Sequence, residues 1–260
     1  MSTALITGAS SGIGATFAQV LAQRGTNVVL VARSEEKLQQ LAQSLREQYA
    51  IRADVIVQDL LKPEAATTVY SAVQALGLSI DLLINNAGFG DYGKFSTRDR
   101  QKQLDMVQLN IAALVDLTHQ FLPAMLERRS GSILNIASIA GFQPMPYFSV
   151  YAATKAFVLS FSEALWAESQ DQGVCVLAVC PGPTESQFFE VADFPTALAS
   201  EGQGIVPAET VVKEALQALE RQQSNVVTGG LSNQFVVNAA RFLPRSTLVK
   251  GIAKVFGPKA

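Results

Sequence analysis

Tyr151 and Lys155 stand four residues apart in a stretch free of glycine and proline, so on a helix both side chains leave the same face. A phenol titrates near pH ~10. A neighbouring ammonium favours its phenolate and lowers that value, which makes the pair a candidate acid/base at neutral pH. The same spacing also suits a surface tyrosine beside a solvated lysine. Ser138 bears on the choice: it follows the apolar run 133–137, at the carboxyl end of an expected strand, where open α/β sheets bind their ligands.

A second group of residues is suited to phosphate. Thr7-Gly8-Ala9-Ser10-Ser11-Gly12-Ile13-Gly14 follows the first apolar run and opens a helical pattern. Glycines there let the backbone approach a pyrophosphate, and the helix N-terminus attracts its charge. Gly8 to Gly12 also fits the G-x-S-x-G nucleophile elbow. A Ser–His–acid hydrolase needs a histidine, however, and the only one is His119, inside an amphipathic helical pattern. The hydrolase reading is set aside, and a multi-histidine zinc site with it. At the end of the second apolar run the sequence reads Val31-Ala32-Arg33-Ser34, where NAD enzymes usually place an acid for the ribose 2′-OH. A guanidinium binds a 2′-phosphate well, so Arg33 points to NADP(H), with NAD(H) as the alternative.

The elements that must hold these residues follow from hydrophobic patterning. Short β-branched runs at 4–6, 28–31, 55–57, 80–84, 133–136, 174–179 and 226–227 are nearly continuous rather than alternating, as in strands buried on both faces of a parallel sheet. Helical patterns lie between them at 13–23, 35–49, 63–76, 103–127, 150–169 and 208–221. The alternation predicts an α/β fold: a single doubly wound, Rossmann-type parallel sheet flanked by helices, with a C-terminal helical tail, in one domain over 1–260. Segment 185–207 is long and mixed, as substrate lids are. Segment 231–260 carries five basic residues (Arg241, Arg245, Lys250, Lys254, Lys259) and no acid, interleaved with apolar ones such as Phe235, Phe242 and Ile252. It suits weak, salt-sensitive membrane contact, or packing on its own domain over the substrate cleft; Pro244 and Gly251 break any long helix and favour packing.

Of 260 residues 48% are hydrophobic and 16% charged, with net charge −2, which argues against disorder and against a nucleic-acid partner. The charge-free opening before Arg24 lacks a basic start and is interrupted by glycines, so it does not read as a signal peptide. No segment reads as a membrane span. Cys175 and Cys180 read as reduced core thiols. The expected location is cytoplasmic.

Together these residues resemble the short-chain dehydrogenase/reductase family in its compact branch. The resemblance runs from Ala4 to about Val227 and rests on Thr7 to Gly14, Asp59-Leu60, Asn85-Asn86-Ala87-Gly88, Asn110, Ser138, Tyr151-Ala152-Ala153-Thr154-Lys155 and Pro181-Gly182-Pro183-Thr184. It implies that Tyr151 protonates a substrate oxygen held by Ser138. Lys155 would hold the nicotinamide ribose and lower the Tyr151 pKa, and Asn110 would position a water. Thr7, Gly8, Ser10, Ser11, Gly12, Ile13 and Gly14 would cradle the pyrophosphate. Asp59 and Leu60 would flank the adenine, Asn86, Ala87 and Gly88 the cleft, and Pro181, Gly182 and Thr184 the nicotinamide end. Where the family usually has threonine, Ser186 keeps the hydroxyl. The implied activity is hydride transfer between NADP(H) and a carbonyl or secondary alcohol, an apolar ketone or aldehyde being the expected substrate. The implied state is a homo-oligomer associating through 103–127 and 150–169. A nucleotide-sensing regulator on the same fold would instead predict damage among Asn110, Ser138, Tyr151 and Lys155.

Overall fold

Seven short strands account for the apolar runs: β1 (Thr3–Thr7), β2 (Asn27–Ala32), β3 (Ala53–Val57), β4 (Leu82–Asn85), β5 (Gly131–Ile136), β6 (Val174–Pro181) and β7 (Asn225–Thr228). In the computed structural model, which describes residues 2–195, 204–239 and 244–257, they form one parallel sheet in the order β3-β2-β1-β4-β5-β6-β7. One face is covered by α1 (Gly12–Gln23), α2 (Glu35–Tyr49) and α8 (Ala208–Glu220), whose Phe17, Leu38, Leu45 and Val212 share a core with Ile6 and Leu30. The other is covered by α3 (Ala65–Ala75), α5 (Leu114–Glu127) and α6 (Ser149–Ser169). Burial on both faces is why the strands show no alternation. Strand order reverses at β1, which pairs with both β2 and β4. The carboxyl ends of β1 and β4 therefore open a crevice of the kind that binds ligands in such sheets.

The single helix expected over 103–127 is three pieces. It starts earlier, as α4 (Arg100–Val107), because the Asp99 carboxylate caps it by accepting from the Lys102 N–H at 2.7 Å. A π-helical turn, Gln108–Ala113, then leads into α5. Length and apolar content alone would let this helical run cross a membrane, but its Leu117, Phe121 and Met125 lie in the core.

The lid segment contains a short helix, α7 (Phe188–Val191), and its base is closed by a bridge between Thr184 and Val206, the Glu185 N–H donating to the Val206 carbonyl and the Val206 N–H to the Pro183 carbonyl, each at 3.0 Å. Residues 196–203 of the lid lie outside the described residues. The tail forms α9 (Leu231–Ala239) and α10 (Arg245–Phe256), with Arg241, Phe242 and Lys259 outside the described residues. The end of α10 is docked on its own domain: the Tyr92 hydroxyl donates to the Phe256 carbonyl, and the Phe256 ring centroid is 6.1 Å from that of Phe194. Both cysteines are free thiols.

Candidate active site

Thr7 and Asn86 join the ends of β1 and β4. The Thr7 hydroxyl accepts from the N–H groups of Asn86 at 2.9 Å and Ala87 at 3.0 Å, and the Asn86 amide donates to the Thr7 carbonyl at 2.9 Å. The glycine loop packs against this junction. Gly8 has φ +66°, in the left-handed region that favours glycine. A Cβ on Gly14 would lie 2.4 Å from the Gly8 carbonyl oxygen and 2.5 Å from the Asn86 amide nitrogen. Backbone and the Asn86 amide thus occupy the space a side chain would need, and the loop Gly8–Gly14 turns tightly into α1 as the cradle offered to a phosphate. Ser10, Ser11 and Ile13 stand half-buried around it. Ser11 caps α1 without a side-chain hydrogen bond to the helix, so no capping side chain blocks an anion from the first N–H groups. Ala32 pairs with Val57 at the same edge of the sheet. Arg33, just beyond Ala32, is exposed. The Asp59 carboxylate accepts from the Leu61 N–H at 3.1 Å, and Leu60 is buried. A dinucleotide pyrophosphate fits this cradle, with Arg33, Asp59 and Leu60 at the β2–β3 edge.

A second cluster converges beside it. Asn110 sits in the π turn, which turns its side chain onto the loop after β4. Its amide donates to the Phe89 carbonyl at 2.9 Å and the Thr154 hydroxyl at 3.1 Å, while its oxygen accepts from the Phe89 N–H at 3.1 Å. Both amide hydrogens are engaged, so this side chain fastens the loop to α6. Thr154 completes the link by donating to the Tyr151 carbonyl at 2.7 Å. Lys155 donates to the Ile136 carbonyl at 2.7 Å, lies 5.7 Å from the Tyr151 ring centroid, and has Gly88 as a neighbour. Ser138 accepts from the Ala140 N–H at 3.1 Å. Asn110, Ser138, Tyr151 and Lys155 are all buried.

Burial sets the protonation states. Tyr151, packed between Phe148 (ring centroids 4.6 Å apart) and Phe188 (5.1 Å), has its phenol pushed up to about 12 by desolvation, with the Ser138 hydroxyl pulling more weakly the other way. Lys155 is pushed down to about 8, again chiefly by burial. Desolvation outweighs the Ser138 hydroxyl here, while the Lys155 ammonium, 5.7 Å from the ring centroid, is placed to favour the phenolate. A neutral phenol is a proton donor, and a Lys155 charged at neutral pH can stabilise the phenolate left behind. Proton donation to a substrate oxygen should accordingly be sustained from neutral pH to about 8 and decline above it as Lys155 loses its charge. The pH profile of kcat/KM for carbonyl reduction checks this; a decline beginning only above pH ~10 would assign the limb to another group.

The turn after β6 completes the floor. Thr184 donates to the Gly182 carbonyl at 2.9 Å. Asn233 of α9, which the sequence reading missed, is 2% exposed and donates to the Thr228 carbonyl at 2.8 Å; a Cβ on Gly182 would lie 2.3 Å from its amide nitrogen. Asn233 thus props the Pro181–Thr184 turn from behind, a contact no local pattern announces. Cavities of about 200 and 220 Å³ lie elsewhere, one lined by Tyr70, Phe121 and Arg128, the other by Glu214, Gln217 and Leu231. They lack the convergent groups described above.

The short chain dehydrogenase family model matches residues 2–193. A very-long-chain 3-oxoacyl-CoA reductase of Anas platyrhynchos is 36% identical over 261 residues, 96% of this chain and 78% of that protein. A short-chain dehydrogenase from Sphingobium yanoikuyae, solved in complex with NADPH, matches with TM-score 0.83 and 31% identity, covering 100% of this chain and 99% of that one. The bulky-bulky ketone specific alcohol dehydrogenase of Comamonas testosteroni matches with TM-score 0.79 and 33% identity, covering 100% and 97%.

Proposed function

The chain belongs to the short-chain dehydrogenase/reductase family of oxidoreductases, and from that premise we propose that it reduces an apolar, bulky ketone or aldehyde with NADPH. The observation that carries this reading is the Tyr151 phenol set between the Phe148 and Phe188 rings, next to Ser138 and Lys155, a proton donor beside apolar surface. The names of the duck reductase and the Comamonas dehydrogenase agree with a large carbonyl substrate.

A reduced nicotinamide, when bound, supplies hydride to the carbonyl carbon. Tyr151 gives its proton to the carbonyl oxygen. The Ser138 hydroxyl hydrogen-bonds that oxygen and stabilises its developing charge. Lys155 holds a positive charge beside the phenolate that forms. Asn110 keeps the loop 88–89 and α6 in register, so that these groups meet. A regulator without turnover has no need of this connected set, and its presence favours the enzyme. The direct test is NADPH and NADH oxidation over a panel of aldehydes, ketones, diketones and 3-oxoacyl thioesters. Tight NADPH binding without turnover of any of them would give the regulator reading precedence.

NADPH preference rests on Arg33, exposed beyond Ala32 where a carboxylate would repel a 2′-phosphate. Arg33→Ala should weaken NADPH binding by roughly 1.5–3 kcal/mol, the range of a charge-assisted hydrogen bond, and spare NADH. Titration of both nucleotides checks it, and equal weakening would mean that Arg33 does not read the phosphate.

The proposal includes a homo-oligomer. Leu104 and Val107 of α4 and Phe157 of α6 are exposed, and Phe157 stacks on Phe161 with centroids 5.8 Å apart, giving apolar surface on two helices that pack together. Light scattering should give a multiple of 27.8 kDa; a monomer mass at micromolar concentration would count against it. Membrane contact by the tail is at most weak in this reading, because α10 is docked through Phe256 while Leu231 and Phe235 of α9 stand exposed.

A further inference from the structure

We propose that Asp91, Arg98 and Lys102 form an ionic clasp which, through Asp193, holds the strap 188–194 down on the reaction site, and that they are positioning residues setting how bulky a carbonyl is accepted. None of them belongs to the motifs that define the family resemblance. The proposal rests on the preceding reading of the aromatic wall as the substrate site.

The clasp has an inner and an outer layer. In the inner layer the Asp91 side chain is 0% exposed. It accepts from Arg98 through Nε at 2.6 Å and also through Nη2, from Lys102 at 2.7 Å and from the Gln103 amide at 2.5 Å. An isolated buried carboxylate would be strongly unfavourable; here two cations and an amide surround it, and they hold its pKa below the ordinary carboxylate range despite burial. In the outer layer the same two cations reach the strap. Arg98 Nη2 donates to Asp193 at 2.6 Å, and Lys102 Nζ donates to Asp193 and to the Val191 carbonyl at 3.3 Å each. The Asp193 side chain is 60% exposed. Between the layers, the Tyr92 N–H donates to the Ala192 carbonyl at 2.8 Å. Two carboxylates and two cations balance, and the buried one fixes the direction in which the cations point.

The strap carries Phe188, whose ring faces Tyr151, and Phe194, whose ring centroid lies 5.6 Å from that of Phe148. A Cβ added to Gly90 would lie 2.7 Å from the tip of Phe188, so that ring already fills the space beside the phenol. A bulky carbonyl must lift it to reach Tyr151, and lifting it works against the clasp. A small aldehyde displaces less. The outer pairs, on the 60% exposed Asp193, weaken with salt; the inner ones, on the buried Asp91, weaken much less.

Asp193 has φ +52°, and asparagine tolerates that conformation well, so Asp193→Asn removes the charge and keeps the turn. At saturating NADPH, the variant should lower KM for a bulky aryl ketone roughly two- to fivefold, the range of an exposed ion pair. Both kcat and KM for a small aldehyde should stay unchanged. In the parent, raising ionic strength should lower the ratio of bulky to small KM in the same way, and in the variant it should not. An unchanged ratio in Asp193→Asn, or a raised KM for the bulky ketone, would overturn the clasp. A second readout needs no substrate. Val191→Trp in a Trp166→Phe background places the sole tryptophan on the strap, and Asp193→Asn or salt should raise its quenching by acrylamide. Constant quenching overturns the clasp; raised quenching without reduction of any carbonyl supports the clasp and rejects the reductase reading instead.

Discussion

Tyr151→Phe should lower kcat for carbonyl reduction by about 10²–10⁴-fold, the range of a positioned general acid, while NADPH binds almost as before. The substitution removes one oxygen and keeps the ring that packs between Phe148 and Phe188. The structure sharpens this expectation, because burial between the two rings raises the phenol's pKa and keeps it a proton donor at neutral pH. Lys155 donates to the Ile136 carbonyl at 2.7 Å. Steady-state kinetics together with a fluorescence titration of NADPH separates the two effects; turnover within tenfold of the parent would remove Tyr151 from the role of acid.

Gly14→Ala is the second large effect. Its methyl would meet the Gly8 carbonyl oxygen at 2.4 Å and the Asn86 amide at 2.5 Å, distances at which something must move. The first neighbour is backbone and the second is hydrogen-bonded to the end of β1, so neither gives way freely. Overpacking of this kind typically lowers stability by about 1–3 kcal/mol. The displaced loop should also lose tenfold or more in nucleotide affinity, as an order-of-magnitude expectation from the same strain. Denaturant unfolding and nucleotide titration measure the two losses. An unchanged affinity would show that the loop does not shape the cradle.

The sheet was legible because burial on both faces leaves an unmistakable mark: every apolar run proved to be a strand, displaced at its ends by a few residues at most. Helix α2 is legible to the residue, since Ser34 precedes two acids and leucines at helical spacing follow. Three members of the candidate cluster were easily picked out of the sequence, Tyr151 and Lys155 by their spacing of four on one helix and Ser138 by its place at a strand's end, whereas Asn110 came only from the resemblance. Other features were not, for identifiable reasons. The π turn leaves no compositional trace in Gln108–Ala113, whose residues would suit an ordinary helix. Asn233 reaches Gly182 from beyond the lid, α8 and β7, and Asp91 meets Asp193 through Arg98 and Lys102 from 102 residues away; pattern reading along the chain is blind to both. The Tyr151 pKa depends on Phe148 and Phe188 closing over it, a matter of packing density rather than of neighbours in sequence.

The π turn at Gln108–Ala113 has a consequence for how this chain tolerates changes in length. Such a turn holds one residue more than a regular helix would use between α4 and α5. A one-residue deletion there would let the helix close into continuous α form, with ordinary hydrogen bonds throughout and no loop to rebuild. Each residue of an α-helix turns the chain by about 100°, so Asn110 would swing away from Phe89 and Thr154 while the core face of α5 could stay in place. The expected product is a well-folded protein whose loop 88–89 is no longer fastened to α6. At this point in the chain, the number of residues carries information that their identities do not, and a mutational scan confined to substitutions would never find it.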